Sequence, residues 1–134
     1  MAFVKAEETL RLKAYKCPKG VWTIGWGHTG GVKEGDTCTK AQADAWIRSD
    51  LQSAQTALAK YINVSVSESQ FIALLSLAYN LGAQGVVDKC PKMLRALNAK
   101  DYDGAAEEFL DVTNGGLAGL VARRRREADL MRKC

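Results

Sequence analysis

Ser67-Glu-Ser-Gln70-Phe-Ile-Ala-Leu-Leu-Ser-Leu-Ala-Tyr79-Asn-Leu-Gly82 is the stretch on which the fold turns. It opens with the form of a capping box, a serine followed three residues later by a glutamine, each able to satisfy the other's backbone N–H at a helix start. From Phe71 to Tyr79 it is apolar almost all round, so a helix here has no wet face and must be buried. Gly82 supplies the stop. The sequence therefore predicts a central helix to about Leu81, with the other elements packed around it.

Working outward, Pro91 to Asn98, Asp101 to Leu110 and Leu117 to Arg132 read as three more helical stretches, separated by Asn98-Ala-Lys-Asp101 and Thr113-Asn-Gly-Gly116. On the other side, Thr39-Lys-Ala-Gln42 is a second capping box, and Ala43, Ile47, Leu51, Ala54 and Leu58 keep a helical period to about Tyr61. Before it, Val21-Trp-Thr-Ile-Gly-Trp-Gly-His-Thr29 alternates bulky Trp22, Ile24, Trp26 and His28 with small Thr23, Gly25, Gly27 and Thr29. That is a strand with one crowded and one bare face. Turns at Gly30-Gly31 and Gly35-Asp36 close it into a small hairpin-like sheet. Lys16-Cys-Pro-Lys-Gly20 is a turn, and residues 3 to 13 read as a short helix with Phe3, Ala6 and Leu10 on one stripe and Val4, Glu8 and Leu12 on the next. The expected class is α+β, mainly helical with a small N-terminal antiparallel sheet. No internal repeat or long linker interrupts it, so one domain over 1–134 is expected.

With 47% apolar and 25% charged residues and only two prolines, the chain is neither disordered nor fibrous. The longest apolar run, Phe71 to Leu81, is broken by Ser76 and Asn80 and falls short of the roughly 18 residues a membrane span needs. Met1-Ala-Phe-Val-Lys-Ala-Glu-Glu8 puts acids where a signal peptide carries its apolar segment, so synthesis in the cytosol is expected. The net charge of +4 is concentrated: from Gly119 onward six bases face two acids, and the rest of the chain balances 13 against 13. A basic terminal segment on a neutral body suits an anionic partner, or is simply a solvated helix face. Cys17, Cys38, Cys90 and Cys134 form no CxxC pair, which sets a compact zinc site aside; an even count permits two disulfides without requiring them.

Cleaving a glycosidic bond takes an acid held protonated and, across the bond, a group that activates water or attacks the anomeric carbon. Glu8, collared by apolar helix neighbours, suits the first role, or is a surface or capping residue. Thr23 between glycines can hold a water where a polymer approaches the strand, or is an ordinary β-branched strand residue. His28 is the single histidine, with no GxSxG elbow to make a triad, and reads as a structural hydrogen-bonding group. The glycines fit neither GxGxxG nor a P-loop, and the aromatics read as core, so nucleotide and nucleic-acid binding lack support.

Glu8-Thr-Leu-Arg-Leu-Lys-Ala-Tyr-Lys-Cys-Pro-Lys-Gly-Val-Trp-Thr-Ile-Gly-Trp-Gly-His-Thr29 resembles the catalytic stretch of phage-type lysozymes, the endolysins that cleave bacterial peptidoglycan. The family pattern is a Glu, eight residues, an Asp or Cys, five residues, then a Thr; Glu8, Cys17 and Thr23 meet that spacing. The likeness continues through Gly35 to Thr39, Gln70 to Gly82, Leu94 to Tyr102 and Gly119 to Arg124. One departure is Thr9, where the family usually has Gly after the catalytic Glu.

The resemblance implies a helical body with a small sheet and a cleft between them. It implies Glu8 as general acid, Cys17 in the second catalytic position and Thr23 beside the attacking water. It further implies that His28 orders the sheet, that Asn80 lines the cleft and that Arg123 pairs with Glu8. Whether Cys17 orients water or attacks the sugar, inverting or retaining configuration, stays open, as does any pairing of Cys38, Cys90 and Cys134. The implied reaction is hydrolysis of the β-1,4 bond between N-acetylmuramic acid and N-acetylglucosamine by a monomer without cofactor or metal. The implied route is release from the host cytoplasm through a holin-type pore to periplasmic peptidoglycan. Arg123, Arg124, Arg125 and Arg126 are the expected contact to an anionic wall or outer-membrane surface; no specific nucleic acid is expected, since no aromatic interleaves them. Two other classes would give different results. A wall-binding module would bind peptidoglycan without releasing reducing ends, and a cationic membrane-disrupting protein would kill without Glu8.

Overall fold

The computed structural model describes residues 2–17, 20–112 and 118–132. Its elements run α1 (Ala2–Glu7), β1 (Arg11–Lys16), β2 (Trp22–Gly25), α2 (Lys40–Ala59), α3 (Glu68–Leu81), α4 (Ala83–Lys89), α5 (Pro91–Asn98), α6 (Tyr102–Phe109) and α7 (Ala118–Arg132). The expected class, mainly helical with a small antiparallel sheet, is what forms. The chain divides into two compact units, Met1–Ser53 and Ala54–Cys134.

In the first unit β1 and β2 pair antiparallel, with Tyr15 opposite Thr23, Lys16 opposite Trp22 and Arg11 opposite Gly25 across a bulge. The other edge of β1 is also bonded: Ala14 N–H donates to Asp36 O at 2.8 Å and Leu12 O accepts from Cys38 N–H at 2.8 Å. This corrects the helix expected over residues 3 to 13. Helix α1 stops at Glu7, because from Arg11 onward two neighbouring segments satisfy the backbone, a long-range gain that a short apolar period cannot register. Leu12 accordingly is no helical neighbour of Glu8 but a strand residue, 47% exposed.

Strand β2 is also shorter than expected. Ile24 and His28 exchange two backbone hydrogen bonds, 2.9 and 2.8 Å, around a tight loop in which Gly25 and Gly27 both take positive φ, 66° and 86°. The expected alternation therefore ends at Gly25. Nor is its small face bare: a Cβ on Gly25 would sit 3.1 Å from the Cβ of Ala43 on α2, so helix, not polymer, covers that glycine.

In the second unit the capping box at Ser67 and Gln70 forms in both directions, and Gly82, at φ 78°, ends α3 with its N–H on Ala78 O at 2.7 Å. Sequence reasoning missed α4. Gly82 O accepts from Val86 N–H at 3.1 Å and starts a new helix bent 95° from α3. Gly85 weakens the local helical signal, and burial of Val86 compensates. Among the described residues no single helix is long and apolar enough to cross a membrane.

Pro91 opens α5, and Asp101 caps α6 by accepting from Gly104 N–H at 3.0 Å. Helix α3 packs on α7, α7 on α6 and α6 on α5 around Leu74, Leu77, Met93, Leu97, Phe109 and Met131. The predicted loop Thr113-Asn-Gly-Gly116, the predicted helix start at Leu117, and Cys134 lie outside the described residues.

Candidate active site

Glu8 directly follows α1, half-buried, its N–H donating to Val4 O at 2.9 Å and continuing the helical turn by one bond. Cys17 lies just past β1, where its N–H donates to Val21 O at 3.0 Å and its own carbonyl accepts from Gly20 N–H at 2.8 Å. Thr23, 4% exposed, donates its hydroxyl proton to Val21 O at 3.0 Å. The lone pairs of that oxygen are what it offers to anything else. Side chains two apart on a strand share a face, and directly opposed residues share it too. Tyr15 and Cys17 on one strand and Val21 and Thr23 on the other thus form one side of the sheet.

Tyr15 connects these residues electrostatically. Burial pushes its phenol above the usual value, the negative charges of Glu8 and Cys17 push the same way, and Arg11 opposes them. The Arg11 guanidinium lies over the Tyr15 ring, 4.9 Å from its centroid. Thr23 is thus directly opposite, and Glu8 and Cys17 within electrostatic reach of, a tyrosine that sequence reasoning read only as core.

Three α2 side chains hold the hairpin loop. His28 Nδ1 lies 2.7 Å from Asp50 Oδ2, and its ring stacks on Trp46 at 4.6 Å between centroids and 9° between planes. Trp26 Nε1–H donates to Asp44 Oδ1 at 2.8 Å, and Lys5 Nζ reaches the same oxygen at 3.0 Å. The Trp26 hydrogen bond, then Lys5, holds the Asp44 carboxyl below the usual range. Trp46 and Asp50 lie one helical turn apart beside buried Ile47, which is the signal that could have marked them.

In the second unit Asn80 Oδ1 accepts from Arg124 Nη2–H at 3.1 Å. Arg124 Nε pairs with Glu127 Oε1 at 2.8 Å, and Arg123 Nε with Oε2 at 3.4 Å. Arg123 Nη2–H also donates to Ser76 O at 3.1 Å, and the Ser76 hydroxyl donates to Glu127. Burial pushes the Glu127 carboxyl up, against the pull of Arg124, Ser76 and Arg123. The expected surface contact through all four arginines is corrected here: Arg123 and Arg124 are 5% and 0% exposed, and only Arg125 and Arg126 face out. Four consecutive helical residues, about 100° apart, cannot share one face. The spacing of Arg123 and Arg124 to Glu127, i to i+4 and i to i+3, together with Ser76 as the one serine within the apolar run Phe71 to Tyr79, was the available signal.

Among the described residues no group of His, Cys, Asp and Glu is placed to hold a metal ion. Cys38 and Cys90 carry thiols; burial raises both, Cys90 to about 11, while a Gly25 backbone hydrogen bond works against the rise at Cys38.

A carboxyl at a helix end, a thiol and a hydroxyl on paired strands, and a helical unit built on a capped apolar helix are features of a lysozyme-like hydrolase. Residues 5–127 match the phage lysozyme family, and the chain belongs to it. The chain is 37% identical over 137 residues to the endolysin of Acyrthosiphon pisum secondary endosymbiont phage 1, covering 97% of this chain and 92% of that protein. It is likewise 37% identical over 134 residues to the endolysin of Salmonella phage P22, covering 95% and 90%. Among solved structures it resembles the muramidase domain of SpmX from Asticaccaulis excentricus, with TM-score 0.86 and 32% identity over 99% of this chain and 94% of that one. The endolysin from Escherichia coli O157:H7 phage FAHEc1 is similar at TM-score 0.85 and 31% identity, over 98% and 89%.

Proposed function

We propose that this chain is an endolysin whose single catalytic domain hydrolyses the β-1,4 bond between N-acetylmuramic acid and N-acetylglucosamine in peptidoglycan. The observation that carries the reading is the family spacing Glu8, Cys17, Thr23 on a unit where the second and third residues share a sheet face and the first and second both act on Tyr15. Glu8 gives its proton to the glycosidic oxygen as the leaving sugar departs. A water donates one hydrogen to the lone pairs of Thr23 Oγ1, whose own proton is committed to Val21 O. The Cys17 thiolate takes the other hydrogen as the water oxygen bonds to the anomeric carbon, which inverts configuration. On the second unit Asn80 is a glycan-contacting residue, and on the first His28 fixes the loop beside the sheet.

Arg125 and Arg126, exposed on α7, are the part of the basic run that meets an anionic wall or outer-membrane surface. The protein acts as a monomer, made in the host cytoplasm and released to the periplasmic wall through a holin-type pore.

The test is turbidity loss on chloroform-treated Gram-negative cells, with release of reducing ends from purified peptidoglycan. Glu8→Gln should abolish both while its thermal melt stays within a few degrees of wild type. Cys17→Asp should stay active and Cys17→Ala should not. Substantial turnover by folded Glu8→Gln refutes the acid, and near-native lysis by Cys17→Ala refutes the thiolate.

A further inference from the structure

Tyr15 is directly opposite Thr23 in the sheet and two residues before Cys17 on the same face, so it stands between the two sheet residues of the proposed reaction. Opposed side chains in such a pair have Cβ atoms about 4.5–5.5 Å apart, and the phenol, being longer, extends beyond the threonine. Its ring is held from one side by the Arg11 guanidinium at 4.9 Å, which fixes its orientation without using the hydroxyl. The ring is half-buried, yet among the described residues the hydroxyl meets no hydrogen-bond partner. The hydroxyl is not sealed from solvent, so in the empty site it is left to water, and a ligand oxygen can take that water's place.

We propose that Tyr15 is a substrate-binding residue of this site, its O–H donating to a hydroxyl or N-acetyl carbonyl oxygen of the glycan that lies across Cys17 and Thr23. The proposal rests on the glycosidase reading above. Because burial, Glu8 and Cys17 all raise the phenol, it stays protonated, and so a donor, through the neutral range in which a wall hydrolase works. Tyr15→Phe removes that donor while keeping the ring, its packing on Arg11 and its place opposite Thr23.

The experiment measures binding of a soluble N-acetylglucosamine oligomer to Glu8→Gln with and without Tyr15→Phe, beside the kinetics and melting of the Tyr15→Phe single variant. One lost hydrogen bond should weaken oligomer binding and lower kcat/KM by about tenfold, with Tm unchanged within about 2 °C. Tyr15→Leu, which also removes the Arg11 partner, should lose more activity and lower Tm. Wild-type affinity and kinetics in Tyr15→Phe, or a fall in Tm with no change in either, overturn the assignment while leaving the glycosidase intact. If the wild-type protein releases no reducing ends, the glycosidase reading falls and takes this assignment with it.

Discussion

Glu127→Ala should be among the most destabilising single substitutions in the chain, and the reason lies in what it leaves behind. Glu127 and Arg124 are both 0% exposed and Arg123 is 5% exposed, so deleting the carboxylate takes the Glu127 charge away from two buried guanidiniums where water cannot replace it, although Arg123 keeps its hydrogen bond to Ser76 O and Arg124 its hydrogen bond to Asn80. Breaking a buried pair from one side typically costs about 3–5 kcal/mol. The Ser76 hydroxyl loses its acceptor as well. A loss of about 4 kcal/mol is expected. With an unfolding entropy of about 2.1 cal/mol/K per residue, a chain of 134 residues should melt about 14 °C lower. Urea unfolding near 15 °C, where a weakened variant is still folded, measures the same loss as a lower midpoint at constant slope. Because most of the cost belongs to the buried charge whose ion-pair partner is removed, Arg124→Met with Glu127→Leu should cost less than the two single changes added together. A loss below about 1 kcal/mol for Glu127→Ala, or simple additivity in the double variant, refutes the reasoning.

Gly25→Ala should cost about 2 kcal/mol, since alanine is strained at φ 66° and its Cβ would lie 3.1 Å from that of Ala43; a melt within 2 °C of wild type contradicts this. Cys90 gives a pH signature. Its thiol rises from the ordinary 9.0 to about 11 in the folded protein, so the folded state binds the proton more tightly than the unfolded one. Its contribution is fully present below about pH 9 and is lost as pH rises through about 11, up to about 2–3 kcal/mol. Wild type should lose urea resistance between pH 8.5 and about 11 faster than Cys90→Ala, and parallel profiles would contradict it.

What was legible in the sequence was what neighbouring residues decide among themselves. The capping boxes at Thr39 and Ser67 each place two reciprocal partners three residues apart, so the starts of α2 and α3 can be read without knowing the fold. Strand β1 could not be read that way. Arg11 to Lys13 carries no strand signature of its own and is held by β2 on one side and residues 36–38 on the other. Helix α4 is similar, since its local signal is weakened by Gly85 and its formation depends on burying Val86.

The candidate site divides along the same line. Glu8, Cys17 and Thr23 are legible because the family pattern is a spacing, and spacing survives in a one-dimensional string. Tyr15 is not, because a tyrosine in a short periodic stretch looks like core until strand pairing sets it opposite Thr23. The arginine run shows why charge is harder still. Composition sees four equivalent cations, yet α7 turns two into the shell of a buried carboxylate and leaves two at the surface, and Glu127 three residues beyond Arg124 decides which. A cation run on a helix is therefore not one feature but two. Removing Arg124 tests folding, and removing Arg125 tests attraction to an anionic surface; only the second effect should fade as salt is raised.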